Sequence, residues 1–457
     1  MFPRSFFLQL IEKDFSEFTD FLKNANDEEI RQLLTELHPA DIADIVENSE
    51  EAEQTRLMSL LDNSQAAEVL SLVEEHMKSE VVEAISEEKL PEIIDEMDSD
   101  DATDILEELP EAEVKEILDA MPQEESAPMR QLLNYEEDSA GGLMQTELVA
   151  VSPETKLFEA AEKVRKDSKK VTNVGNLYVV SAEGTLKGVV PIQALVLEDP
   201  EKSVSEVMKT DYFFVDVNQD QEKVAEIFRK YDLISLPVVD QQHKLLGRIM
   251  IDDIVDVIQE EASEDIYRLA GVDIEEHVAD SAFRSIRLRF PWLLFNLGTA
   301  IMASLVVSLF ETTIQQVVLL AVFMPIVAGM GGNAGTQSLA VITRSLALGE
   351  LNFSNAKRAL IKESLSGLLN GIFMGLIMGG ITYLWTKNSV LALVLGLAMV
   401  ANMLIATFTG TAIPLLLRWI KVDPALASGV IVTTFTDMVG FFAFLGLATV
   451  FLKYLVS

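Results

Sequence analysis

Five long apolar stretches in the C-terminal part of the sequence constrain its fold more than any other feature. Each is long enough to cross a lipid bilayer, which takes about 20 apolar residues in helical form. Five such runs in succession are rare in a soluble fold, so the sequence predicts five transmembrane helices. They are expected near residues 291–310, 317–343, 364–386, 390–417 and 425–452.

Charge divides the chain into two unlike parts. Residues 1–284 carry a net charge of −43 and residues 285–457 a net charge of +5, within a total of −38. The acidic part would repel nucleic acid and anionic lipid and attract cations, although acidity is equally typical of a domain that is merely soluble. The chain has no cysteine, which excludes disulfides and thiolate metal sites.

Basic residues beside the predicted spans indicate the orientation of the chain. Arg287 and Arg289 precede the first span, and Arg418 and Lys421 lie between the fourth and the fifth. Four more lie between the second and third spans: Arg344, Lys357, Arg358 and Lys362. Because basic loops stay on the cytosolic side, the N-terminal region is predicted to be cytosolic and the C-terminus to lie outside.

Asp437 is the only ionisable residue deep within a predicted span. A charged carboxylate at the bilayer centre costs about 3 kcal/mol or more, so it normally faces a water-filled path or a partner. Thr433, Thr434 and Thr436 add oxygen atoms on the same helical turns, and hard divalent cations such as Mg2+ prefer oxygen ligands. The alternative is a protonated Asp437 that is hydrogen-bonded to neighbouring helices.

The second predicted span contains the unusual segment PIVAGMGGNAGTQS, from Pro325 to Ser338. A proline and four glycines are expected to break or distort a membrane helix, and freed carbonyls are tolerated only inside protein or along a water-filled cavity. Glycine-mediated helix packing would explain the glycines, but not the polar residues among them. The segment therefore predicts that the transport path is lined by Gly331, Gly332, Asn333, Thr336 and Gln337, together with Thr433 and Thr434.

Residues 1–138 have the pattern of short amphipathic helices, because apolar residues recur at spacings of three and four. LHPADIADIV at 37, LDNSQAAEVL at 61 and MDSDDATDIL at 97 share a pattern, with steps of 24 and 36 residues. This repeat predicts stacked helices in a superhelical, solenoid-like array. Asp98 or Ser99 is expected to cap a helix that starts near Asp100.

Residues 139–260 contain one unit twice. NLYVVSAEGTLKGVVPIQAL at 176 aligns with SLPVVDQQHKLLGRIMIDDI at 235, an offset of 59 residues. Each copy has a strand, a turn, a second strand and a helix, and each is preceded by another helix. The pattern predicts a β-α-β-β-α unit at 139–202 and again at 203–260. Residues 261–284 have no proline and little glycine, which predicts a stiff, partly helical connector.

The duplicated unit resembles a pair of CBS domains, and the whole order is similar to the MgtE family of Mg2+ channels. GGNAGTQS at 331–338, and DPALASG with TTFTDMVG within 423–440, are similar to the membrane signatures of that family. The resemblance implies a multi-domain fold. An all-α acidic superhelical N-domain (1–138) is followed by an α/β tandem CBS pair, a connecting, plug-like helix (261–284) and a five-helix α transmembrane domain (285–457).

The resemblance also implies a function. It implies a homodimeric, Mg2+-selective channel of the cell (inner) membrane, in contact with lipid and divalent cations but not nucleic acid, with Asp437 on its two-fold path. It further implies that regulatory Mg2+ bridges acidic surfaces and holds the path shut. The acids at matching positions are Asp98, Asp101, Asp104, Asp220, Glu222, Asp232, Asp253, Asp256, Glu261, Glu264 and Asp265.

A CBS pair can also bind an adenine nucleotide through an aspartate near the start of the second helix. The second copy has Asp253 there, but the first copy has Ala194, which counts against a nucleotide site in that copy. No Walker-type loop is present, so neither pumping by ATP hydrolysis nor any enzyme activity is expected. Two alternatives stay open: a secondary Mg2+ carrier coupled to H+ or Na+, and a Mg2+ sensor that does not transport.

Overall fold

The computed structural model describes residues 22–456, apart from 169, 170, 172, 275, 277, 279, 280 and 424–427. The described chain forms two compact units, which divide after Gln259. The first 21 residues of the predicted N-domain, the start of the predicted fifth span and most of the DPALASG segment lie outside the described residues.

Among the described residues, nine short helices form the first part of the N-terminal unit. Each buries one apolar face in a shared core that includes Ile45, Val69 and Ile105. The three segments that repeat in the sequence form α2, α4 and α7, whose first residues are also 24 and 36 positions apart. The helices are α1 Asp27–Glu36, α2 Pro39–Glu47, α3 Glu51–Leu60, α4 Asn63–Ser71, α5 Glu75–Glu83, α6 Leu90–Ile94, α7 Ser99–Glu107, α8 Glu111–Ala120 and α9 Gln123–Leu132.

Two small sheets of identical topology follow. In each, the first strand pairs parallel to the second and the second pairs antiparallel to the third. Leu177 pairs with Val190 in one sheet and Leu236 with Ile249 in the other, so the 59-residue offset holds in the register. The elements are β1 Ala150–Val151, α10 Leu157–Asp167, β2 Asn176–Val180, β3 Leu186–Pro191, α11 Ala194–Leu197, α12 Val204–Val207, β4 Val215–Asp216, α13 Gln221–Tyr231, β5 Ser235–Val239 and β6 Leu245–Met250.

The last helix differs between the two copies. In the first copy α11 has only four residues, whereas in the second copy α14 (Ile251–Ala270) continues for 20 residues. Helix α14 ends just before Gly271, which has a left-handed backbone with a φ of 69°. The N–H of Gly271 donates to the Arg268 carbonyl and the N–H of Val272 donates to the Tyr267 carbonyl, which closes the last turn of the helix. The predicted connecting helix is therefore interrupted after Ala270.

The second unit contains five helices that are long and apolar enough to cross a membrane. They are α15 Ala282–Ser308, α17 Leu319–Ala347, α18 Ala356–Thr386, α19 Ser389–Trp419 and α20 Ser428–Val450, with short helices α16 Glu311–Gln316 and α21 Leu452–Val456 beside them. The segment does not break the second span, because α17 is continuous through Pro325 and the glycines. Pro325 lies in the second turn, where its ring removes a single helical hydrogen bond.

Helices α18 and α19 pack backbone against backbone. Four glycines of α18 are spaced by four residues: Gly367, Gly371, Gly375 and Gly379. A Cβ atom on Gly371 would lie 2.9 Å from the Cα of Val400, and one on Gly375 would lie 2.6 Å from the carbonyl oxygen of Gly396. Only small residues permit this approach between membrane helices. The predicted fold class, with its helical N-domain, paired α/β units and five-helix bundle, is confirmed.

Candidate functional site

In the N-terminal unit, the start of α7 is bonded to the segment that leads into the first sheet. The hydroxyl of Ser99 donates to the carboxylate of Glu147 at 2.8 Å, and the backbone N–H of Thr146 donates to the Ser99 hydroxyl at 2.9 Å. Asp98 occupies the N-cap position, as predicted, but its side chain makes no capping hydrogen bond. These bonds fix the first turn of α7 in place.

Gln145 extends this contact to the second sheet. Its amide nitrogen donates to Asp100 at 3.1 Å, and its amide oxygen accepts from Nη2 of Arg248 at 2.7 Å. Arg248 lies on β6 with its side chain fully buried, and the backbones of Gln145 and Arg248 are also paired. A continuous polar link therefore joins α7 to the strand that leads directly into α14.

This link brings carboxylates of α7 and α14 together. We call them the acidic cluster: Asp98, Asp100, Asp101 and Asp104 of α7, with Asp252, Asp253 and Asp256 of α14. Burial raises the pKa of Asp253, and repulsion from Asp100, Asp252 and Asp101 raises it further. Burial likewise raises the pKa of Asp101, followed by repulsion from Asp100 and Asp104. The cluster thus holds carboxyl groups so close together that ionising all of them is unfavourable.

A lysine also contributes positive charge to this region. Lys78 of α5 has its ammonium group 3.9 Å from the carboxylate of Asp104. It opposes the effect of burial on the pKa values of Asp101 and Asp256. Five members of the acidic cluster were predicted from the sequence: Asp98, Asp101, Asp104, Asp253 and Asp256. Asp100, Asp252 and the nearby Lys78 were not.

Three further predicted regulatory acids belong to α13. Asp220 caps this helix, and its carboxylate accepts from the backbone N–H of Glu222 at 3.1 Å. Asp232 ends the same helix with a left-handed backbone at φ 50°. Asp220 and Asp232 are thus separated by the whole helix, about 18 Å at 1.5 Å per residue. Both have structural roles, and they cannot be ligands of one cation within a single chain.

The remaining predicted regulatory acids lie near the end of α14, in the second unit. Arg268 forms ion pairs with Glu264 and with Asp423, which lies in the loop before α20. Burial, followed by repulsion from Asp423 and Glu261, raises the pKa of Asp265 to about 6. This group therefore already contains a cation, the Arg268 guanidinium.

In the membrane unit, the predicted polar residues of α17 share one face. Asn333, Thr336 and Gln337 are exposed in the single chain, whereas Gly331 is buried and Gly332 is intermediate. The polar residues are spaced by three or four positions, so they form a stripe along the helix. We call Asn333, Thr336 and Gln337 the polar stripe.

Asp437 lies on α20, which packs against α17. It is partly buried, and among the described residues its carboxylate has no hydrogen-bond or salt-bridge partner. Thr433 is exposed one turn earlier on the same face, and its hydroxyl donates to the carbonyl of Gly429 at 2.8 Å. Thr434 donates to Val430 in the same way at 2.6 Å. Both threonine oxygens keep lone pairs that could accept from a hydrated cation.

Two buried polar residues of the membrane unit were missed by the sequence analysis. Glu363 lies inside α18, where it accepts from the Ser338 hydroxyl at 2.9 Å and pairs with Lys362 at 2.5 Å. It precedes the apolar stretch and was therefore placed outside the predicted span. Asn402 is fully buried in α19. Across the described residues, no group of three or more carboxylate or imidazole side chains is close enough to hold a metal ion within one chain.

A helical acidic domain, paired α/β units and a five-helix apolar bundle define a multi-pass membrane protein with a large polar domain. Within the described part of the chain, the Asp437 carboxylate of that bundle has no partner. Comparison with known proteins indicates the same class of protein. Residues 324–447 match the family model described as "Divalent cation transporter", residues 37–138 that described as "MgtE intracellular N domain", and residues 140–200 and 204–260 that of the CBS domain. The chain belongs to the MgtE family.

Individual relatives span most of the chain. It is 34% identical to the magnesium transporter MgtE of Enterococcus faecalis over 328 residues, 72% of each protein. It is 36% identical to that of Thermus thermophilus over 330 residues, 72% of this chain and 73% of the relative. The crystal structure of the cytosolic domain of the Mg2+ channel MgtE in complex with ATP is 32% identical, with a TM-score of 0.50. The match covers 52% of this chain and 97% of the chain in that crystal structure.

Proposed function

We propose that this chain forms a homodimeric Mg2+ channel of the cell (inner) membrane, which imports Mg2+ and is closed when Mg2+ binds its acidic cytosolic domains. The observation that carries the proposal is the packing of α17, with its polar stripe, against α20, where Asp437 has no partner among the described residues. Amide, hydroxyl and carboxylate groups face hydrocarbon only at high cost, so a water-filled path or a second copy must cover them. A two-fold axis along these helices provides both.

The ligand chemistry of this path suits Mg2+. Mg2+ takes oxygen ligands, sheds its waters reluctantly and is usually held by one or two carboxylates. Asp437 from each of two copies would supply those carboxylates, and Asn333 and Thr433 would contact the remaining waters. The relatives named as magnesium transporters favour the same ion.

The acidic cluster supports closure by Mg2+. Its carboxylates repel one another across the contact between α7 and α14, and a divalent cation between them would replace repulsion by shared ligation. At low Mg2+ the two surfaces would separate, and at high Mg2+ they would pack. The acids near Arg268 extend the same chemistry to the end of α14. The basic loops favour a cytosolic position for all of these domains.

Regulation by an adenine nucleotide stays a prediction. The structural relative binds ATP, but Ala194 offers no carboxylate for a ribose in the first copy. In the second copy, Asp253 accepts from the N–H of Met250 at 3.3 Å and belongs to the acidic cluster. Any nucleotide at the second copy would therefore share a residue with the Mg2+-dependent contact.

Reconstitution into liposomes tests the proposal. Asp437→Ala should reduce Mg2+ flux by at least about tenfold, because the path loses its fixed charge, and Asp437→Asn should lose most of it despite its matching shape. Glu350→Gln, which removes an exposed acid in the loop between α17 and α18, is the control and should conduct normally. Normal flux in correctly folded Asp437→Ala would contradict the proposed path.

The same preparation separates the alternatives. A channel passes Mg2+ current that persists without any H+ or Na+ gradient, whereas a secondary carrier needs one. Patch-clamp recording with Mg2+ varied on the cytosolic side also measures closure directly. A protein that binds Mg2+ through its acidic cluster but passes no Mg2+ in either assay would be a sensor.

A further inference from the structure

Asn402 is a fully buried polar residue at the centre of the membrane unit. It lies on α19 between α17 and α20, the two helices that carry the polar stripe and Asp437. Its amide nitrogen donates to the carbonyl of Val327 on α17 at 2.6 Å. Its amide oxygen is buried and has no hydrogen-bond partner among the described residues.

Two glycines approach this side chain from opposite helices. A Cβ atom built on Gly331 of α17 would lie 2.8 Å from the amide oxygen of Asn402 and 2.9 Å from its Cγ. A Cβ atom built on Gly440 of α20 would lie 2.6 Å from the same oxygen and 3.1 Å from Cγ. For both glycines the three nearest atoms all belong to Asn402, so this one side chain sets how closely the two helices approach.

Packing alone does not account for an asparagine at this position. A leucine has the same branching at Cγ and would leave no buried oxygen without a partner, which costs free energy in an apolar interior. The asparagine adds a directional hydrogen bond to the backbone of α17 at Val327. This bond lies one helical turn from Gly331, the glycine that contacts the Asn402 side chain. Such a bond specifies one register between two helices, whereas apolar packing tolerates several.

The residues on either side connect this contact to the transport path. Gly331 is two positions before Asn333, which points from the opposite, exposed face of α17. Gly440 is three positions after Asp437 on α20, less than one helical turn away. A shift of either helix at Asn402 would therefore move an oxygen ligand relative to the other.

We infer that Asn402 is a positioning residue, which fixes α17 and α20 in register and so sets the spacing between Asn333 and Asp437 that discriminates among cations. The inference rests on the proposed function, because it assigns a role within that path. It predicts a change in cation selectivity, and not only in stability, when the side chain is altered.

The experiment combines two substitutions with a matched control. Gly331→Ala should lower the yield of folded protein, because its methyl group overlaps Asn402. Asn402→Ala removes the overlapping atoms, so the double variant should recover the folded yield. Gly380→Ala is the control, since no atom lies within 4 Å of a Cβ at Gly380 of α18, and it should behave as the parent.

Selectivity is then measured with Mg2+ and Ca2+ in liposomes for each folded variant. The ratio of Mg2+ to Ca2+ flux should change by about three- to tenfold in Asn402→Ala, the equivalent of one hydrogen bond, and should stay changed in the double variant. Asn402→Leu keeps the branching at Cγ but not the bond, and should change the ratio in the protein that folds. Parental selectivity in both folded Asn402 variants would overturn the inference.

The measurement of folded yield does not depend on transport. Parental folded yield in Gly331→Ala would also overturn the inference, because the close contact would then not exist. If the parent protein passes no Mg2+, the proposed function fails, and recovery of Gly331→Ala by Asn402→Ala still tests whether Asn402 sets the helix contact.

Discussion

The ammonium group of Lys78 lies 3.9 Å from the carboxylate of Asp104, and the lysine side chain is only 9% exposed. A buried lysine at this place supplies one positive charge to a region whose carboxylates otherwise repel one another. It therefore stabilises the packed arrangement of α7 and α14 before any metal ion binds. The chain carries part of its own counter-charge, and a divalent cation has only to supply the rest.

Replacing Lys78 with methionine should expose this contribution. Without Mg2+, the acidic cluster should repel more strongly, so the N-terminal unit should lose protection against proteolysis. Saturating Mg2+ should restore protection, because the ligands are intact, and the dependence on Mg2+ should become steeper. Lys78→Arg should behave as the parent, and so should Lys115→Met, which removes an exposed lysine of α8. Unchanged protection of Lys78→Met without Mg2+ would show that the lysine does not offset the repulsion.

Protons should act in the same direction as Mg2+. The pKa values of Asp100, Asp101 and Asp253 are raised in the packed arrangement, first by burial. Packed carboxylates therefore bind more protons than separated ones at any pH between their ordinary value near 3.8 and the raised values. In Mg2+-free buffer, protease protection should rise as the pH falls from about 8 to about 6. Asp253→Asn should flatten this dependence, and protection that decreases on acidification would have the wrong sign.

The ion pair between Arg268 and Asp423 should hold the end of α14 against the loop before α20. Arg268→Ala should leave maximal Mg2+ conduction intact and weaken closure at high Mg2+, because Asp423, Asp265 and Glu264 would then repel. Asp423→Ala should relieve part of that repulsion, so the double variant should close better than Arg268→Ala. Patch-clamp recording measures both quantities. Strictly additive effects of the two substitutions would mean that the pair is not coupled.

Asn333 tests the polar stripe separately from Asp437. Under the proposed function, Asn333→Ala should lower Mg2+ conduction or alter its selectivity without changing the Mg2+ concentration at which conduction stops, since no regulatory acid is touched. The measurement is a full Mg2+ titration of single-channel current. A shift of the closing concentration with normal conductance would place Asn333 in gating and not in the path.

Much of the fold could be predicted from periodic patterns in the sequence. The spacing of apolar residues predicted the helices of the N-domain because each buries one face, and the 59-residue repeat predicted two sheets because their strands keep the same register. Pro325 does not break α17, although proline often breaks helices. It removes one hydrogen bond in the second turn, and this loss is tolerated when neighbouring helices pack around that turn.

The candidate site was harder to predict where it depends on tertiary contacts. Asp437 was accessible to sequence reasoning because one carboxylate in an apolar span is costly. Asn402 was not, since a single asparagine in an apolar run has no periodic signal and its glycine partners belong to other helices. Asp100 was passed over in favour of Asp98 and Asp101, because only the buried link through Gln145 shows which face of α7 meets β6.

The glycine-spaced contact between α18 and α19 has a consequence for motion. Where backbones touch along four turns, relative sliding would separate many atoms at once, so this pair should move as one body on the microsecond-to-millisecond timescale of gating. Helix α15, by contrast, is the least buried of the five long helices. Amide hydrogen exchange should therefore be slowest in α18 and α19, and the displacement that opens the path should be carried by helices outside this pair.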